Sequence, residues 1–200
     1  MEGFLRQVLP KILDQRATFS IYVYQGKADL LRKLPSRLRG WAGWLPASHR
    51  IVVLLDRDDD DCHQLKQGLE NLAIGAGLRT RTSSGGRAWQ VVNRIAIEEL
   101  EAWFFGEWSA VRRAYPRVSS RISGQAAYRS PDSITGGTWE ALERILRKAG
   151  YFDQGLPKKE VADAIGRHLN PDANTSPSFA IFRAAVLEAV SPRPGGCDPA

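Results

Sequence analysis

The run Ile51-Val52-Val53-Leu54-Leu55 passes without a break into Asp56-Arg57-Asp58-Asp59-Asp60-Asp61, and this joint limits the fold more than any other stretch of the chain. A short, continuous apolar run is the pattern of a central parallel strand covered on both faces. In open parallel sheets, ligands bind outside the carboxyl ends of the strands, which is where the aspartates fall. Asp56 and Asp58 are two residues apart, so on extended backbone they project to one side and form an oxygen-ligand pair suited to Mg²⁺ or Mn²⁺, with Asp60 beside them. Helix capping competes with this reading: Asp58 or Asp59 could serve as N-cap, with Asp60 and Asp61 favoured by the helix dipole. Capping explains one or two aspartates, whereas five in six residues repel one another and call for a cation.

Elements on either side alternate in type. Phe4 to Leu13 has its apolar residues at helical spacing despite Pro10. Thr18 to Tyr24 (TFSIYVY) predicts a strand, and Ala28 to about Leu38 a helix with Leu30, Leu31 and Leu34 inward. After the aspartates, Leu65, Leu69, Leu72 and Ile74 predict a helix closed by Gly75 and Gly77. Arg79 to Arg87 reads as a loop or weak strand, and Trp89 to Ile97 as another strand. Helices follow at Glu98 to Phe105, Trp108 to Tyr115, Trp139 to Ala149, Lys158 to Leu169 and Ser178 to Val190. This order implies an α/β fold, a small, mainly parallel sheet flanked by helices with right-handed crossovers. It divides into an α/β domain over 1–106, a helical elaboration packed on it over 107–190, and a disordered Pro/Gly-rich tail over 191–200.

A second acidic cluster, Glu98-Glu99-Leu100-Glu101, stands at the end of the last strand. On extended backbone Glu99 and Glu101 share a face, and in a helix Glu98 and Glu101 do. Alone it would read as a first helical turn stabilised by its dipole. Paired with the aspartates it suggests phosphoryl chemistry, which commonly uses two cations held by several carboxylates. The remaining signals are weaker. Cys62-His63, His49 and His168 lack metal-site partners, and Ser83-Ser84-Gly85-Gly86 lacks the Lys-Ser/Thr of a phosphate loop. Arg79, Arg81 and Arg87 suit either phosphate binding or a solvated loop. The six tryptophans read as packing.

Lysine and arginine exceed aspartate and glutamate by 28 to 22, a formal charge of +6 that favours a polyanionic partner without naming it. No apolar stretch approaches the ~20 residues that cross a bilayer, no signal peptide is evident, and Cys62 and Cys197 make no disulfide framework, so a cytoplasmic protein is expected.

MEGFLRQVLPKIL, YQGKADLLRKLPSRLRG, VVLLDRDDDD, NRIAIEELEAWFFG, GGTWEALERIL and SPSFAIF together resemble the bacterial family called domain of unknown function 4276 (DUF4276), a Toprim-like group related to the nuclease domains of overcoming-lysogenization-defect proteins. The resemblance implies a small Rossmann-like sheet and a Mg²⁺-dependent nuclease or phosphotransferase acting on nucleic acid. Asp56 and Asp58 would be its DxD pair, and Glu99 and Glu101 its further acidic positions. Arg57, Arg79, Arg81 and Arg87 would contact the nucleic acid. It also implies an AAA-type ATPase partner and a role in phage defence. Members usually open with a strand ending in a Glu-x-x-Ser-x-Glu-like motif. Here only Glu2 matches, at its last glutamate, so the first Toprim strand is missing. That implies either a start site misplaced downstream or a shortened, inactive module that binds nucleic acid or the ATPase. A Rossmann-type small-molecule domain is a third reading, weakened by the lack of a Gly-rich fingerprint.

Overall fold

The computed structural model describes residues 1–85, 88–97, 99–152 and 155–191. These form eight α-helices and a two-stranded parallel sheet: α1 (Glu2–Leu13), α2 (Gly26–Ala42), β1 (Ile51–Asp56), α3 (Cys62–Gly75), β2 (Val91–Ala96), α4 (Ala102–Gly106), α5 (Trp108–Ala114), α6 (Thr138–Lys148), α7 (Lys158–His168) and α8 (Pro177–Ala189). No described helix is long and apolar enough to cross a membrane.

β1 and β2 run in register from Ile51 opposite Val91 to Asp56 opposite Ala96. Alternation along the strands sorts their side chains between two layers. Val53, Leu55 and Val91 pack with Leu30, Leu34 and Leu38 of α2 and Leu69 and Ala73 of α3. On the other face Val92 meets Trp89 and Ala185 of α8, and Val52 and Leu54 border the larger core built by α1 and the helices after β2.

α1 lies along α7 at unusually close range. A Cβ on Gly166 would stand 3.1 Å from the Gln7 Cβ and 3.2 Å from the Phe4 carbonyl oxygen. Lys11 then reaches across and donates to the carbonyls of Gly166, Arg167 and Leu169 at 3.0, 2.7 and 2.8 Å, satisfying the open end of α7. The two helices are thereby locked in both separation and register. Gly166→Ala is expected to lower stability by roughly 1–3 kcal/mol in urea denaturation, because Phe4 backbone cannot yield. The same exchange at Gly40 of α2, where a Cβ meets nothing within 4 Å, should raise it by about 0.5–1 kcal/mol.

One expected strand is absent. Thr18 to Tyr24 has no regular secondary structure, and Phe19, Tyr22 and Val23 are exposed. Its β-branched and aromatic residues favour a pleated surface, but strand character needs a neighbour to pair with, and here Ile21 and Tyr24 pack on the cores as irregular chain. Arg79 to Gly85 is a turn with a single bridge, Thr80 to Val91. The helix expected from Glu98 starts only at Ala102. Trp44, expected to pack, is 64% exposed. The expected tail after Ser191 lies outside the described residues.

Candidate functional site

The two acidic clusters meet where the parallel strands end. Asp56 closes β1, and the chain leaving β2 at Ala96 passes over it, so the Leu100 N–H donates to Asp56 Oδ1 at 2.9 Å. Glu101 follows as the residue before α4. Burial pushes the Asp56 carboxyl up to about 6, and the charges of Asp58 and Glu99 add to it, against the Met1 amino group and the Leu100 N–H. Burial likewise pushes Glu101 up to about 7, reinforced by Glu99 and Asp56. Asp56 and Glu101 are thus two desolvated acids, and the charge of Asp56 reaches Glu101.

The other acidic residues have different employments. Glu99 Oε2 accepts from the Thr138 hydroxyl at 3.0 Å and the Trp139 N–H at 2.9 Å, so it caps the N-terminus of α6, where Gly137 has no side chain to do so. β1 stops at Asp56, and Asp58 has a positive φ of 50°, so strand alternation no longer relates it to Asp56. Its carboxylate instead pairs with Lys27 Nζ at 2.8 Å, and Asp60 pairs with the same ammonium at 2.7 Å. Lys27 also donates to the Arg57 carbonyl at 3.0 Å. Although partial burial opposes the charge, the bonds to Asp58 and Asp60 raise the Lys27 pKa above its usual value. Asp61, rather than Asp58 or Asp59, is the N-cap of α3, accepting from the His63 and Gln64 N–H groups. Asp59 is exposed.

A cation does therefore answer the aspartate run, and for Asp58 and Asp60 it is a lysine of this chain. Lys27 was not among the expected site residues; its only sequence signal was its place in QGKADLL. Gly26 turns the chain into α2 with a φ of 82°, which a side chain would resist, and so delivers Lys27 in the first turn.

Two of the expected phosphate contacts, Arg79 and Arg81, lie elsewhere. Arg79 and Arg81 bond the backbone at Val91, the opposite end of the sheet from Asp56, roughly 16 Å away at strand rise. Arg81 is also held by Glu188 at 2.6 Å, and Arg79 by the Ala88 carbonyl. Arg57 adjoins the acidic corner and donates to the Asp58 carbonyl. Glu98 and Arg87 lie outside the described residues.

The donor chemistry suits a hard divalent ion at Asp56 and Glu101. Leu100 occupies only one Asp56 oxygen, and Mg²⁺ is often held by one or two carboxylates, with water and substrate phosphate completing its shell. Among the described residues no group of three or more His, Cys, Asp or Glu side chains is arranged to hold a metal.

Residues 1–187 match the family model described as a domain of unknown function, DUF4276. The chain belongs to this family. No curated protein and no solved structure matches it. In this DUF4276 chain the matched span takes in α1 through Leu187 of α8, and with them the whole acidic corner.

Proposed function

We propose that this DUF4276 chain is a Toprim-like nuclease or phosphotransferase that uses Mg²⁺ or Mn²⁺ on nucleic acid, with Asp56 and Glu101 as its principal acids. The observation that carries this reading is their shared position at the carboxyl ends of adjacent parallel strands, with pKa values pushed up to about 6 and about 7. A divalent ion bound there would supply charge neutralisation at phosphate and a more acidic water. The chain's own residues do the rest. The Leu100 N–H orients Asp56, and a carboxyl near 7 such as Glu101 is matched to take a proton at neutral pH. Glu99 caps α6 beside them and keeps their surroundings negative. A partner ATPase and a phage-defence setting belong to the same reading.

The second reading is a Toprim-like binding module without chemistry, favoured by the Lys27 ammonium that bridges Asp58 and Asp60. Incubation with single- and double-stranded DNA and RNA in Mn²⁺ separates the two. The nuclease reading expects cleavage that Asp56→Asn reduces at least about a hundredfold. Cleavage equal in Asp56→Asn, or no cleavage of any substrate, would overturn it.

A further inference from the structure

We infer that the outer face of α2 is a binding surface for single-stranded nucleic acid, separate from the acidic corner and independent of any chemistry there. Along this face runs an open groove of about 430 Å³, lined by Lys33, Ser36, Arg37, Gly40, Trp41 and Trp44. Every charged side chain in the lining is basic. Lys33 is tied to Asp29 at 2.8 Å, but Arg37 is held by rings, 5.0 Å from the Tyr22 centroid and 5.7 Å from that of Trp41. Tyr22 meets Trp41 edge-on at 5.3 Å, so the two rings stand side by side under the guanidinium. Trp44 closes the row and is 64% exposed.

Exposed aromatics are costly in water unless a partner covers them, and here they alternate with cations. An apolar peptide would use the rings and strand the guanidinium, while an acidic peptide would use the charges and leave the rings uncovered. A single strand satisfies both, since its phosphates pair with the cations and its unpaired bases stack on rings and on a planar guanidinium. A duplex hides its bases. The helix also gives the surface a direction: Arg37 lies ten residues beyond Lys27, about 15 Å along α2. A strand laid in the groove is thereby led toward the carboxyl end of the sheet.

Gly40 allows a test in which binding and stability move oppositely. It is exposed, and a Cβ there meets nothing within 4 Å, so Gly40→Glu sets a carboxylate in the groove while improving helix propensity. Anisotropy titrations in EDTA, which removes divalent ions and keeps the result independent of cleavage, would use labelled (dT)20, an abasic 20-mer of equal charge and polyglutamate. The expected result is (dT)20 binding that quenches tryptophan fluorescence and weakens steeply with KCl. Abasic DNA should bind about tenfold more weakly, and polyglutamate should not compete. Gly40→Glu and Trp44→Ala should each weaken (dT)20 about tenfold or more, with the Tm of Gly40→Glu unchanged or raised. Failure of (dT)20 to bind, equal binding of the abasic strand, competition by polyglutamate, or unchanged affinity in both variants would each overturn the proposal.

Discussion

Exchanging Asp56 for asparagine and Glu101 for glutamine is expected to move two properties in opposite directions, weakening divalent-ion binding at least tenfold while making the apo protein more stable at pH 8. The folded state raises both carboxyls, to about 6 and about 7, above the 3.8 and 4.5 of the free groups. Between about pH 4 and pH 7 the folded chain therefore holds protons that the unfolded chain has released. Stability from these groups is greatest at low pH and falls as pH rises through that window. A neutral amide removes the pH-dependent loss. Glu101→Gln should thus gain about 1–3 kcal/mol over wild type at pH 8, allowing for the solvent that still reaches the carboxyl, and nothing at pH 4. Urea denaturation of both proteins across that range would measure it. A variant less stable than wild type at pH 8 would mean that the carboxylates support the fold instead of straining it.

Trp103→Ala is expected to cost the most stability, about 3–5 kcal/mol, with loss of the native transition in a chain of ordinary stability. Trp103 is fully buried in α4, two residues past Glu101. Its ring stacks 5.1 Å from Phe182 and meets Phe179 edge-on at 5.2 Å, with Phe4 at 6.0 Å. Its Nε1 donates to Ser178 Oγ at 2.8 Å. One side chain thereby ties α4 to α8 and α1, and truncation leaves both a cavity and a buried hydroxyl short of its donor. Trp103→Phe, which keeps most of the volume and loses the N–H, should cost less than half as much in the same urea experiment. Because α4 follows Glu101 directly, the milder variant should also bind a divalent ion less tightly than wild type.

What could be read from the chain was set by how local its cause was. β1 and Asp56 were legible because five apolar residues followed by a carboxylate leave little choice of strand or edge. The helices after residue 107 were legible from their apolar periodicity and their Pro/Gly breaks, within a residue or two at each end. The register of the glutamates was not, because both expected registers assumed regular backbone. From Glu99 to Glu101 the chain is neither strand nor helix, so Glu99 turns to α6 and Glu101 keeps company with Asp56. Thr18 to Tyr24 misled because propensity speaks of a residue's comfort in a sheet and says nothing of whether a partner strand is present. Lys27 was invisible for a related reason. An ammonium that reaches Asp58 across thirty-one positions is a product of tertiary placement, and no spacing rule covers it.

The most direct test of the acidic pair is calorimetric titration of Mn²⁺ into wild type and into Asp56→Asn with Glu101→Gln, at pH 6.5 in two buffers of different ionisation enthalpy and again at pH 8.5. If Asp56 and Glu101 share the ion, wild type binds with release of protons at pH 6.5, binds more tightly with little release at pH 8.5, and the double variant loses at least about tenfold in affinity at both. Binding that releases no protons at pH 6.5 and survives unchanged in the double variant would contradict the assignment.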